Sequence, residues 1–349
     1  MPDSFRVGLT NDFLKPDGSL IFDDLGLDLL DQAAGLGREF LAEATPELSA
    51  DQVRPFDALL VLGGRVTEQT LAGADRLAIV ARSGVGYDSV DVGACTRAGV
   101  VVTITPDGVR RPVASSVVAF MLALSLRMLD KDRLTRQGRW AEKTSYNGLG
   151  LAGRTLGVIG MGNIGREIVD LSRSFGLRYL AFDPFLSSAH AAAAGVELVD
   201  LETLLRTADF VSVNCPLDAE TYHLLDARRL GWMRPSAYLI NTARGPIVDQ
   251  VALTTALAER RLAGAALDVF EQEPIDAEDP LLRLDNVIVA PHAICWTDEC
   301  FRDNGRSACR SILDVAAGRA PTYVVNREVL DTSRFRARLE RYAARHASA

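Results

Sequence analysis

The sequence predicts an α/β protein built from two doubly wound parallel sheets. Three observations carry that expectation. Short β-rich apolar runs recur along the chain, separated by segments of helical period. The runs fall into two series, one ending near residue 104 and one beginning at residue 155. With 349 residues the chain exceeds the usual size of a single hydrophobic core, so two domains are expected.

Taken in order, the first series reads FRVGL (5–9), EFLAEA (39–44), ALLVLG (58–63), LAIVAR (77–82) and VVVTI (100–104), with FDDLGLDLLDQA (22–33) as an intervening helix. Five such strands make one α/β unit. RPVASSVVAFMLALSLRMLDKDRLTRQGRW (111–140) then reads as one long helix, a hinge and interface element, followed by the Gly-rich NGLGLAG. The second series is TLGVIG (155–160), RYLAFD (178–183), FVSVNC (210–215), AYLIN (237–241), GAALDV (264–269) and NVIVAP (286–291), six strands with crossovers. No fixed-period repeat or low-complexity tract interrupts either series.

Composition excludes several classes of function. A net charge of −8 argues against a nonspecific grip on nucleic acid or on an acidic membrane face. The N-terminus lacks a basic start followed by an apolar core, and the longest apolar stretch, VVAFMLALSL from Val117, is half a membrane span. A cytoplasmic protein without a membrane partner is expected. The five cysteines are odd in number and contain no Cys-x-x-Cys pair, so neither a disulfide framework nor a metal site is indicated.

The sharpest single motif is TLGVIGMGNIGREI (155–168). Gly160, Gly162 and Gly165 follow an apolar strand and open a helix, where the backbone can turn tightly and bring a pyrophosphate to the helix N-terminus. The next strand ends at Asp183, whose carboxylate would accept hydrogen bonds from the adenosine ribose hydroxyls. The same carboxylate would repel a 2′-phosphate, and the following PFLSS supplies no arginine. A Rossmann sheet binding NAD(H) rather than NADP is therefore expected.

Further strand ends of that sheet deliver Arg244, Asp268 and His292 to the crevice where a dinucleotide ligand sits. An arginine there can hold a carboxylate in a bidentate fork, and a histidine can exchange a proton near neutral pH. Glu273 stands close enough in sequence to Asp268 to orient that histidine, and a carboxylate beside an imidazole favours the imidazolium.

In these motifs the chain resembles the D-isomer-specific 2-hydroxyacid dehydrogenases. The carriers are RSGVGYDSVD (82–91), LAGRTLGVIGMGNIG (151–165), VNCPLDAETYHLLD (213–226), NTARG (241–245), LDVFEQEP (267–274) and APH (290–292). The resemblance implies that Arg244 binds the substrate carboxylate and keto oxygen, that His292 is the acid/base, and that Glu273 is its partner. It places Asp268 against the nicotinamide amide. The cofactor cleft would be lined by Asn163, Ile164, Cys215, Pro216, Thr242, Ala243 and His292. Backbone N–H groups of Val85 and Gly86, in the loop Ser83, Gly84, Val85, Gly86, would receive the carboxylate of a small anionic 2-hydroxy or 2-keto acid. The resemblance also implies a discontinuous, flavodoxin-like substrate domain (1–108 plus 295–330) and an NAD-binding Rossmann domain (109–294). A homodimer through the latter is the usual family arrangement.

Some positions depart from the family pattern. Members commonly carry Val-Ala-Glu where this chain has Val113, Ala114 and Ser115, and an Asn where it has Val109. Arg110 and Arg111 follow, in a solvated or interface role or reaching an anionic substrate tail. Cys295 and Trp296 stand where many members have two glycines, and Trp296 is expected to wall the substrate pocket or to pack within its domain. The loop of residues 10–22 matches no family pattern and is associated with substrate choice. Residues 331–349 extend past the expected domain end, and Phe335, Leu339 and Tyr342 at helical spacing predict an amphipathic helix that caps a partner subunit.

Two other functions fit the same scaffold. One is a dinucleotide-sensing interaction protein of the corepressor kind. The other is oxidation of a smaller anion such as formate or phosphite.

Overall fold

The structure is a computed structural model and describes residues 4–346. The chain divides into two compact units. The first contains residues up to Val109 together with those from Trp296 on, and the second runs from Arg110 to Cys295.

The first unit is a five-stranded sheet of β1 (Phe5–Leu9), β2 (Leu36–Phe40), β3 (Ala58–Val61), β4 (Ile79–Arg82) and β5 (Val101–Thr103), in the order β2-β1-β3-β4-β5. All pairings are parallel. This is the flavodoxin-like order, with its switch point between β1 and β3. Side chains alternate between two cores, as strand geometry requires. Leu60, Ile79, Ala81 and Val101 face one. Leu59, Val61, Val80 and Val102 face the other.

Sequence and structure differ at three places in this unit. The second strand lies at Leu36–Phe40 rather than 39–44, because its partner β1 ends at Leu9, which pairs with Phe40, and the chain beyond has nothing to pair with. The helix expected over 22–33 shrinks to Asp28–Asp31, since Gly26 takes φ +65 and breaks the right-handed path. The C-terminal helix Ser333–His346 forms as its periodicity predicts, but its apolar face is covered within the same chain. Phe335 and Tyr342 are buried in the core that also holds Phe5, Phe301 and Ile312. Each such side chain contributes about 1.5–3 kcal/mol on burial, more than the ~0–1 kcal/mol of a surface ion pair such as Arg334–Asp75, so the apolar face decides where the helix docks.

The second unit holds β6 (Thr155–Ile159), β7 (Arg178–Phe182), β8 (Glu197–Leu198), β9 (Phe210–Val213), β10 (Tyr238–Asn241), β11 (Gly264–Leu267) and β12 (Val287–Val289). Their order is β12-β11-β10-β9-β6-β7-β8, all parallel. It is the Rossmann order with one strand added beyond the sixth, and it reverses direction between β6 and β9. The strand absent from the sequence reading is β8, an edge strand of only two residues.

The long helix expected over 111–140 is two helices, Pro106–Ser125 and Met128–Arg136. Arg127 between them adopts the left-handed region at φ +52. The first helix stops because the Leu149 N–H takes the Ser125 carbonyl at 2.7 Å. Gly148 permits that approach, since a Cβ there would lie 2.5 Å from the same carbonyl oxygen. Among the described residues no single helix is long and apolar enough to cross a membrane.

Candidate active site

The fingerprint loop is built by close backbone approaches. Gly160 follows β6 at φ +90, and a Cβ on it would lie 2.8 Å from the Cys215 nitrogen in the loop after β9. Gly165 stands in the first turn of the helix Asn163–Ser172, where a Cβ would come within 2.3 Å of the Gly160 carbonyl oxygen. Gly162 caps that helix, and a Cβ there would meet nothing within 4 Å. The helix N-terminus thus faces open space lined by main chain, which fits a pyrophosphate.

Asp183 follows β7 and holds the loop from the other side. Its Oδ2 accepts the Met161 N–H at 2.9 Å and its Oδ1 accepts the Phe185 N–H at 2.9 Å. Each oxygen keeps a lone pair for a ribose hydroxyl. Burial pushes the Cys215 thiol up to about 11, so this wall of the cleft is neutral.

Arg244 sits in the turn after β10. Asn241, the last residue of the strand, is buried and staples the turn: its Oδ1 accepts the Ala243 N–H at 3.0 Å and its Nδ2 donates to the Arg244 carbonyl at 2.9 Å. Gly245 lies directly on the main chain of the loop after β11, where a Cβ would be 1.9 Å from the Phe270 carbonyl carbon and oxygen. The Arg244 guanidinium donates to the Ala243 carbonyl at 2.6 Å.

The loop beneath carries the acid. Glu273 Oε1 accepts the Phe270 N–H at 3.0 Å and Oε2 lies 2.7 Å from His292 Nδ1. Partial burial pushes the Glu273 carboxyl upward, but the hydrogen bonds from His292 and Phe270 and the nearby charges of His292 and Arg244 outweigh it, holding the group below its usual range. His292 follows β12 at φ +55, a backbone region few non-glycine residues occupy. Asp268 secures that geometry, because its Oδ1 accepts the N–H groups of Ala293 at 2.9 Å and Ile294 at 3.1 Å. Asp268 is 3% exposed, and burial raises its carboxyl above the ordinary value even though both N–H groups oppose the shift. With Nδ1 committed to Glu273, the His292 Nε2 is the nitrogen left to meet a ligand.

The sequence profile described as "D-isomer specific 2-hydroxyacid dehydrogenase, NAD binding domain" matches residues 118–293. The chain belongs to the D-isomer specific 2-hydroxyacid dehydrogenase family. It is 37% identical over 331 residues to a glyoxylate reductase of Korarchaeum cryptofilum, covering 93% of this chain and 97% of the relative. It is 35% identical over 311 residues to a D-3-phosphoglycerate dehydrogenase of Synechocystis sp., covering 87% of this chain and 54% of that protein. Among solved structures, the TT0316 protein of Thermus thermophilus superposes with a TM-score of 0.80 at 30% identity, covering 92% of this chain and all of that one.

Other family positions lie in the first unit. In the loop after β4, the Ser83 N–H donates to the Val61 carbonyl at 2.8 Å and the Gly84 N–H to Thr105 Oγ1 at 2.7 Å. Thr105 in turn donates to Asn304 Oδ1 at 2.6 Å. The amides of Val85 and Gly86 make no hydrogen bond among the described residues. Trp296 stands edge-on to Phe301 at 5.1 Å, and Phe22 from the N-terminal loop stacks on the same ring at 4.4 Å.

Arg110 and Arg111 are occupied within the second unit. Both pair with Glu167 of the fingerprint helix, at 3.4 and 2.7 Å. Sequence reasoning missed Asn241 and Gly245 as builders of the arginine turn. The signal available was the NTARG motif itself, an Asn at a strand end followed by a Gly, which is turn chemistry.

Proposed function

We propose that this family member interconverts a D-2-hydroxy acid and its 2-keto acid, using NAD(H). The observation that carries the reading is the 2.7 Å contact between His292 Nδ1 and Glu273 Oε2, with the positively charged Arg244 turn packed on the same loop.

The bound nicotinamide supplies or takes up the hydride. The protein's part is to hold the acid and manage the proton. Arg244 grips the carboxylate and keto oxygen, and it is not the proton donor, because a guanidinium stays protonated in water. His292 gives its Nε2 proton to the keto oxygen during reduction and takes it back during oxidation, while Glu273 supports the imidazolium. The free amides of Val85 and Gly86 receive the substrate carboxylate, and Trp296 walls the pocket. The unit that contains them is then the substrate domain. Thr242, Ala243 and Pro216 would line the cofactor cleft, and Asp268 would meet the carboxamide of the bound nicotinamide. Asp183 without a following arginine favours NAD over NADP.

Among substrates, a small unphosphorylated acid such as glyoxylate is the preferred reading. Arg110 and Arg111, the arginines that could reach an anionic tail, are paired with Glu167, and the chain is 37% identical to the glyoxylate reductase against 35% to the phosphoglycerate dehydrogenase. The dinucleotide-sensing alternative is not favoured, since these relatives bear enzyme names. A homodimer through the second unit would cover Leu126, Met128, Leu129 and Trp140, all exposed on one stretch. NADH consumption measured against glyoxylate, hydroxypyruvate, pyruvate and branched 2-keto acids tests the activity. Binding of NADH without turnover of any of them would overturn it.

A further inference from the structure

The second unit contains another histidine–glutamate pair. His223 Nε2 lies 2.8 Å from Glu271 Oε1, and the two residues come from separate loops. Its surroundings connect it to the arginine turn. The His223 N–H donates to the Pro246 carbonyl at 2.8 Å, two residues after Arg244, and the Leu225 N–H donates to the Ile247 carbonyl at 3.0 Å. Glu271 adjoins Phe270, the residue whose main chain lies under Gly245. Its Oε1 also accepts the Gln250 N–H at 2.9 Å, at the start of the helix Gln250–Ala258, and its own N–H donates to Gln250 Oε1 at 3.1 Å. Three segments are thereby tied together: the turn carrying Arg244, the loop carrying Glu273, and the loop 221–225.

His223 keeps a side chain at a backbone position that favours glycine. It adopts φ +48, where glycine would sit without strain. The ring is held flat against Tyr222, with centroids 4.2 Å apart and planes 14° from parallel. A strained histidine, stacked on one side and bonded to a carboxylate on the other, is a fixed strut rather than a loose surface residue.

The geometry points to His223 and Glu271 as a positioning brace that sets the Arg244 turn against the Glu273 loop and so tunes affinity for the 2-keto acid. The brace touches neither substrate nor cofactor in this role. It rests on the reading of Arg244 as the group that holds the substrate carboxylate.

The test uses the full chain with NADH and glyoxylate. His223→Gly removes the strut while relieving the backbone, so the fold is retained and the melting temperature is unchanged or higher. KM for glyoxylate should rise about tenfold, the scale of one hydrogen bond to a charged group, with kcat and the affinity for NADH within about twofold. Glu271→Gln keeps an acceptor for both the ring N–H and the Gln250 N–H, so KM should stay within about twofold of the unaltered protein. Glu271→Ala should reproduce at least that rise, and the double variant His223→Gly, Glu271→Ala should be no worse than Glu271→Ala alone, because the ring–carboxylate contact is already gone there. An unchanged KM in His223→Gly, or additive effects in the double variant, would overturn the brace. Arg244→Lys serves as the control for the underlying reading. If it raises KM while His223→Gly does not, only the brace fails; if it leaves KM unchanged, the role of Arg244 fails first.

Discussion

Asp183 Oδ2 accepts the backbone N–H of Met161 at 2.9 Å, joining the end of β7 to the fingerprint loop at the end of β6. The acid expected to select the cofactor is therefore also part of the loop that cradles it. In the unaltered protein kcat/KM for NADH should exceed that for NADPH by about tenfold or more, since repulsion of a 2′-phosphate worth ~1.4 kcal/mol suffices for that ratio. Asp183→Ala combined with Phe185→Arg should narrow the preference and weaken NADH binding at the same time, because Met161 loses its acceptor. Steady-state kinetics with both cofactors checks this, and equal kcat/KM values in the unaltered protein would contradict it.

The His292–Glu273 contact predicts the direction of pH dependence. If reduction draws its proton from His292, as proposed, keto-acid turnover should fall as pH rises while hydroxy-acid oxidation increases. Glu273→Gln removes the carboxylate that holds His292 Nδ1 at 2.7 Å and should lower kcat in both directions. Glu273 itself is held below its usual range, so its ionised form persists below the ordinary glutamate value, while the stability it adds is complete above that value and is lost progressively as pH falls from it through the depressed one. His292→Gln should cost roughly a hundredfold or more in kcat. Paired pH–rate profiles in the two directions decide the matter.

Gly245 makes the sharpest steric prediction. In Gly245→Ala the new methyl group would lie 1.9 Å from the Phe270 carbonyl and 2.5 Å from the Glu271 nitrogen, so the arginine turn must move off the Glu273 loop. A displacement of about 1 Å at a positioning group can cost on the order of a hundredfold. Glyoxylate kcat/KM should drop on that scale, while NADH binding measured by fluorescence titration stays near normal.

Much of this organisation was legible in the sequence, for identifiable reasons. Arg244, Asp268 and His292 each follow an apolar strand of a parallel sheet, and strand ends converge by topology, so their grouping needed no side-chain detail. The contacts that hold them there were not legible. Asn241 acts through its own turn, Gly245 through main-chain packing on a loop distant in sequence, and His223 through a partner on another loop. Nothing in periodicity or composition reports such pairs. The edge strand β8 was hidden because two residues are too few to show alternation.

The C-terminal helix supplies a stability prediction. Tyr342 donates its hydroxyl to Asp57 Oδ1 at 3.0 Å, and Asp57 is buried where it also accepts the Arg6 N–H at 2.9 Å. Tyr342→Phe leaves that oxygen short of a donor in the interior and should destabilise the first unit by about 1–3 kcal/mol. Thermal unfolding should show the loss, with NADH affinity unchanged because the fingerprint lies in the other unit.

That helix also bears on how the protein is made. Its residue Arg338, buried and lowered to about 10 by that burial, donates to the carbonyls of Ala98, Gly99 and Asp75, and Phe301, Ile312 and Phe335 fill the core against β1, β3 and β4. The strands of the first unit leave the ribosome first, yet much of what they bury against leaves last. The second unit is one uninterrupted stretch of chain and can complete its core while synthesis continues. During translation, then, the N-terminal strands are made well before Phe301, Ile312, Phe335 and Tyr342, the residues that cover one of their apolar faces.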